Sequence, residues 1–326
     1  PFELPESIRK KLADYFLKGP GLNIYPDNES VELRKTIAKY WNVDADEVIV
    51  GTGSNQLIQL IITVFVGKGE KVLYPWPTFS MYKINTLIAG GEPVAFPLDK
   101  EKDFVLDTDK FIEAVKTENA KVVFLCNPNN PTGGLVPLEH IEKIVKECKS
   151  SIIVVDEAYA EFCPQSVIPL VKKYENLVVL RTFSKAYLLA GARCGYSISG
   201  IEIANEINKV RPTYNVSSLT QLIAKMVFEE QEEMQKMIRY LIEQRGELEK
   251  SLKKIKDVCI YPSHANYILV KVPEAEMISK ELQKRGILIR SFPNDPVLYD
   301  CIRITVGTKE QNDIFLEEFS DIINNF

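Results

Sequence analysis

Histidine is scarce in this 326-residue chain: only His140 and His264 occur, far apart and without ligand spacing. A histidine-based zinc site or a Ser/His/Asp triad is therefore poorly supplied. The six cysteines, at 126, 148, 163, 194, 259 and 301, form no C-x-x-C pair. They read as reduced thiols, mostly buried as small hydrophobes. Long apolar runs are missing as well. None approaches the roughly 18 residues of a membrane span, and the longest, at 57–66, is a buried helix at most. Nor is there a basic excess: 40 Lys and Arg face 45 Asp and Glu, for a net charge of -5. The global field then repels nucleic acid and acidic membrane surfaces. No secretory leader pattern opens the chain, and a soluble, cytoplasmic protein is expected. It begins Pro1-Phe2 without an initiator Met, so its native start is expected to lie further upstream.

What is present reads as an ordinary globular protein, with 45% hydrophobic and 26% charged residues, too long for one simple core. Strand-like runs at 47–50, 71–74, 121–126, 151–155, 177–181 and 195–199 alternate with helical patterns at 54–65, 78–89, 107–115 and 138–149. That alternation predicts an α/β sheet with helices on both faces. A proline-free stretch at 217–255 predicts one long connecting helix with a solvated charged face. Beyond it, strands at 267–272, 287–290 and 302–306 with helices at 275–285 and 309–323 predict a smaller α+β unit.

The strongest local signal is Arg181-Thr182-Phe183-Ser184-Lys185-Ala186, directly after a strand. Ligands bind beyond strand ends in open α/β sheets. There Ser184 can donate to a phosphate, and Arg193, eight residues past Lys185, can offer a bidentate fork. Alone, the Ser-Lys pair would be a surface loop. Other segments converge on it. In Val154-Val155-Asp156-Glu157-Ala158-Tyr159 an apolar strand ends in a carboxylate, which is costly to bury unless it meets a cation. A protonated pyridine nitrogen is one such cation, with Tyr159 placed to donate to the ring's phenolic oxygen; a metal-binding or capping Asp156 is the plainer alternative. Asn127-Pro128-Asn129-Asn130-Pro131-Thr132-Gly133-Gly134 is a rigid turn that can aim the Asn130 amide at the same oxygen. Gly51-Thr52-Gly53-Ser54-Asn55 enters a helix and suits an anion through free backbone N–H groups. It lacks the third glycine of a dinucleotide fingerprint, which speaks against a nicotinamide oxidoreductase. Phe79, after another strand, can stack on a flat ring or be an ordinary core residue.

In this order the segments resemble the fold-type I aminotransferases, pyridoxal 5'-phosphate enzymes, and among them the histidinol-phosphate branch. The resemblance runs over essentially the whole chain. It implies a large domain with a mostly parallel seven-stranded sheet plus a smaller α+β domain, divided as an N-terminal segment 1–30 belonging with the small domain and the dimer contacts, a cofactor domain 31–232 and a small domain 233–326. It implies Lys185 as the Schiff-base lysine and proton shuttle, Asp156 as partner of the pyridine nitrogen, and Asn130 and Tyr159 on the phenolic oxygen. Phe79 would stack on the ring. Gly53, Ser54, Asn55, Ser184 and Arg193 would hold the cofactor phosphate. Ile24-Tyr25-Pro26-Asp27 resembles the segment whose tyrosine reaches the neighbouring subunit, which implies a homodimer with shared sites. Arg303 resembles the arginine for a substrate carboxylate or phosphate, and Arg290 a second phosphate contact. Glutamate and 2-oxoglutarate, with a phosphorylated imidazole substrate, are the implied reactants. Aromatic amino-acid aminotransferases, threonine-phosphate decarboxylases and non-catalytic pyridoxal-phosphate-binding regulators share the cofactor residues. Ser54-Asn55-Gln56 departs from the acidic pair more usual in the branch, and Pro1-Phe2 resembles the tail of a segment that helps close the site.

Overall fold

The computed structural model describes residues 2–19 and 21–325, so Pro1 and its suggested closing role lie outside the described residues. Among these, seven strands form the larger sheet: β1 (Val48–Gly51), β2 (Lys71–Trp76), β3 (Glu92–Pro97), β4 (Val122–Cys126), β5 (Ile152–Asp156), β6 (Leu177–Thr182) and β7 (Gly195–Ser199). Their order is β1-β7-β6-β5-β4-β2-β3. Only β7 runs against the rest, pairing antiparallel with both β1 and β6. The mostly parallel seven-stranded sheet that the resemblance implies is therefore what forms.

Its central strands are apolar throughout because both faces are covered. Along β4, Val122, Phe124 and Cys126 enter one core cluster while Val123 and Leu125 enter the other. Helices Gly53–Phe65, Met81–Ile88, Thr108–Thr117 and Leu138–Glu147 make the crossovers. Connections of this kind place the C-terminal ends of β1, β2, β4, β5 and β6 along one edge, where irregular backbone is free to hold ligand-binding groups. The edge strand β3 escaped the sequence reading. It carries Pro93 and Pro97 and is only partly buried, as an edge strand tolerates.

A second, antiparallel sheet is built from β8 (Cys259–Ile260), β9 (Tyr267–Lys271), β10 (Arg290–Ser291) and β11 (Cys301–Thr305), ordered β10-β11-β9-β8. The strand predicted at 287–290 is only the two-residue β10, and its register sets Arg290 directly opposite Arg303. The single helix predicted over 217–255 is also corrected. It is two helices, Ser218–Glu229 and Gln231–Leu252, broken at Glu230, whose ψ of 45 is not helical. No Gly or Pro marks the break. It arises because the two halves bury against different partners. Phe228 packs edge-on to Tyr40 and Tyr196 beside the large sheet. Leu241, Leu248 and Leu252 are buried in the second half, which runs against β9. Among the described residues no helix is long and apolar enough to cross a membrane.

Candidate active site

The loops beyond the strand ends enclose a cavity of about 780 Å³. Asp156, the last residue of β5, sits at its floor and is buried. Its Oδ2 accepts from the Tyr82 hydroxyl at 2.8 Å and its Oδ1 from the Ala158 N–H at 3.2 Å. Burial pushes its pKa up to about 6, against the pull of those two hydrogen bonds. A carboxylate held like this, beyond hydrogen-bonding reach of any described cation, is suited to a cationic ring nitrogen.

Lys185 follows β6 and lines the cavity. Burial among protein atoms, and then the charges of Arg303 and Arg193, push its pKa below the ordinary lysine value, while Asp156 opposes them. Its Nζ lies 5.5 Å from the centre of the Tyr159 ring. Tyr159 is itself buried, edge-on to Tyr267 at 5.0 Å, and burial raises the pKa of its hydroxyl, keeping it a donor.

The anion cup forms where helix Gly53–Phe65 begins, since the first N–H groups of a helix lack intrahelical partners. Gly53 has φ +76, and a Cβ there would stand 2.8 Å from Arg193 Nη2. So Gly53 does not line the cavity but lets the guanidinium lie against the helix end. Arg193 Nη1 donates to Ser184 Oγ at 3.2 Å and to the Ala190 carbonyl at 3.1 Å. Asn55 Oδ1 is buried without a partner. Arg303 Nη1 donates to Asn130 Oδ1 at 2.6 Å, which turns the Asn130 amide N–H groups away from that arginine. Arg303 Nε is buried and unpartnered, and its guanidinium stacks 5.0 Å from the Tyr267 ring centre. Phe79 is on the wall, edge-on to Tyr82 at 5.7 Å. In all, five cations (Lys83, Lys185, Arg193, Arg290 and Arg303) face Asp156 and Asp295, so a chain of net charge -5 carries a cationic cavity.

The family model described as aminotransferase class I and II matches residues 1–319. The chain belongs to that family. A histidinol-phosphate aminotransferase of Ruminiclostridium cellulolyticum is 50% identical over 325 residues, covering 100% of this chain and 91% of that protein. Among solved structures, the histidinol-phosphate aminotransferase of Clostridium acetobutylicum superposes with TM-score 0.91 at 26% identity, over 99% of this chain and 96% of that one. That of Sinorhizobium meliloti, solved in complex with pyridoxal-5'-phosphate, gives TM-score 0.89 at 25% identity, over 99% and 88%.

In this aminotransferase the sequence-predicted residues Ser54, Asn55, Phe79, Asn130, Asp156, Tyr159, Ser184, Lys185, Arg193, Arg290 and Arg303 all line one cavity. Tyr25 does not. It is 77% exposed and stacks on Tyr214 at 4.6 Å, outside the cavity of its own chain.

Three features escaped the sequence reading. Tyr82, stacked 4.5 Å over Phe124, is a core aromatic by pattern, and only the fold brings its hydroxyl to Asp156. Gly195 opens β7, and a Cβ there would lie 2.5 Å from Ser54 N, so the cup closes only over a glycine. Arg181 is buried between Glu157 at 2.8 Å and Glu161 at 2.7 Å, with its guanidinium 4.8 Å from the Trp41 ring centre. Glu157 also accepts from the Val167 N–H at 2.6 Å and the Ser166 hydroxyl at 2.8 Å. This network ties the end of β5 to β6, and so the base of Asp156 to the strand leading into Lys185. A carboxylate next to Asp156 in sequence was a visible signal. Its partner, 24 residues further on, was not.

Proposed function

We infer that the chain is a histidinol-phosphate aminotransferase. It would move an amino group between histidinol phosphate and 2-oxoglutarate, giving imidazole acetol phosphate and glutamate. The observation that carries the substrate is the cross-strand pair Arg290 and Arg303. Like charges facing each other across two strands cost stability. Here both line the cavity, and Arg303 keeps an unpartnered Nε. A phosphate or carboxylate bridging the two guanidiniums removes that repulsion, which explains how one pocket takes a phosphorylated amine and a dicarboxylate in turn.

Pyridoxal 5'-phosphate is the cofactor, and the residues fit it. The buried Asp156 lacks a cation, and the Gly53–Arg193 cup suits a phosphate. When bound, the cofactor supplies a ring that accepts the electron pair left at the substrate Cα. The chain's own residues do the rest. Lys185 would carry the cofactor through its Nζ and, once an incoming substrate amine has displaced it, would with its depressed pKa take the Cα proton as a neutral amine and return it as an ammonium. Asp156 stays ionised to hold the ring nitrogen protonated, and Tyr82 fixes the carboxylate's orientation. Asn130 and Tyr159 donate to the phenolic oxygen, and Phe79 covers the ring. Ser54, Ser184 and Arg193 anchor the phosphate.

The assembly is a homodimer in which Tyr25 completes the neighbouring subunit's site. Leu22, Ile24 and Tyr25, all more than half exposed, support this by leaving an apolar face that a second copy would cover. Residues 31–232 and 233–326 serve as cofactor and small domains, with 1–30 at the dimer contact, and the enzyme is placed in the cytoplasm.

The test is a half-reaction panel with histidinol phosphate, phenylalanine and threonine phosphate, following the visible cofactor band. Histidinol phosphate should convert the band fastest. Equal or faster conversion by phenylalanine defeats the substrate assignment.

A further inference from the structure

We propose that Lys100 is a substrate-positioning residue, fixing the cavity wall at 292–298 to the edge of the large sheet. The inference rests on reading the cavity as the substrate site. The wall follows β10 and places Phe292, Asn294 and Leu298 on the cavity. Internally it is a tight turn. Asp295 Oδ1 accepts from the N–H groups of Val297 at 2.9 Å and Leu298 at 3.0 Å, and Asp295 N donates to the Phe292 carbonyl at 3.0 Å. These bonds shape the turn but do not decide where it stands relative to Lys185.

Lys100 supplies that. It lies in a short turn, Lys100–Lys102, just after β3. Its Nζ donates to the Val297 carbonyl at 3.0 Å, forms an ion pair with Asp300 and lies 5.5 Å from the centre of the Tyr299 ring. Three groups of the 297–300 segment thus converge on one ammonium. The pair is mostly shielded, with side-chain exposures of 16% and 19%, so solvent screens it far less than a surface bridge. Burial would push the Asp300 carboxyl up, but hydrogen bonds from Lys100 and Cys301 more than offset that and hold it below its usual range. The Asp300 carbonyl accepts from Val272 N at 2.9 Å, and the next residue begins β11, the strand of Arg303. One contact therefore sets both the turn after Arg290 and the approach to Arg303. Lys100 itself does not line the cavity, so it acts through the wall.

The test uses holoenzyme carrying Lys100→Met or Lys100→Arg, with steady-state kinetics on both substrates, the visible cofactor spectrum and the thermal midpoint. Lys100→Met should raise KM for histidinol phosphate about tenfold. Its kcat should stay within about twofold, with the cofactor spectrum unmoved and the midpoint lowered because Asp300 loses its partner. Lys100→Arg should recover most of the lost affinity. An unchanged KM overturns the proposal. So does a fall in kcat accompanied by loss of cofactor, which would make the tether merely structural. Should the wild type prefer phenylalanine, the substrate assignment fails by itself, and the KM for phenylalanine in Lys100→Met then decides the role of Lys100.

Discussion

Lys185 and Asp156 carry opposite demands from the same burial: the amine is pushed toward neutrality and the acid toward protonation. For Lys185 that is useful, because a proton acceptor must be partly neutral near working pH. Lys185→Ala should lower kcat by roughly 10⁴-fold or more, and borohydride should fix cofactor to the wild type but not to the variant. Covalent label on Lys185→Ala would remove this lysine from the role. For Asp156 burial is a cost that the cofactor must offset. Its folded pKa of about 6 lies above the ordinary 3.8, so in the cofactor-free protein the carboxylate is present above about pH 6 and lost below it. Cofactor affinity should therefore fall as pH drops through 6. Tyr82→Phe removes a hydrogen bond to the ionised form, so the fall should begin at higher pH, and affinity at pH 8 should weaken by roughly tenfold. Titrating cofactor into cofactor-free protein from pH 5 to 8 measures both; overlapping profiles for the two proteins would deny Tyr82 its part.

Between elements, the decisive contact is that of β7 with the helix that opens the anion cup. Gly195 is paired to Gly51 across β1 and to Thr182 across β6, with Ser54 directly above it. A methyl group there meets two backbone segments, the Gly53–Ser54 peptide with Gly53 C at 2.8 Å and Arg181 O at 2.9 Å, and neither can rotate away. Gly195→Ala should cost about 1–3 kcal/mol of stability. Cofactor affinity should drop with it, because the helix end must lift away from Arg193. Denaturant unfolding with and without cofactor separates the two effects. An unchanged cofactor affinity would mean that the cup does not depend on this packing.

At the scale of the molecule, the position of Tyr25 matters most. It stands outside its own cavity, stacked on Tyr214, on an apolar face. If it completes the partner's site, Tyr25→Ala and Lys185→Ala enzymes, each weak alone, should regain activity when dissociated and reassociated together. Hybrid dimers then hold one site with an intact Lys185 and an intact Tyr25. Sedimentation would report the dimer and turnover the rescue. Absence of rescue in a verified hybrid would place Tyr25 in no shared site.

The sequence by itself determined the central strands, the class of sheet they form and most of the cavity's chemistry. Apolar runs of strand length can only be satisfied between two helical layers, and Asp156, Asn130 and Lys185 each stand just past such a run. Their neighbours along the chain already restricted where they could lie. The tertiary structure alone decided what depends on distance across the fold. Tyr82 against Asp156, Gly195 under Ser54, Arg181 between two glutamates and Lys100 on the 297–300 segment each join residues whose local pattern reads as core or surface. The break at Glu230 belongs with them. Nothing in its local sequence ends a helix, and the kink exists because two halves of one amphipathic stretch find two different surfaces to cover.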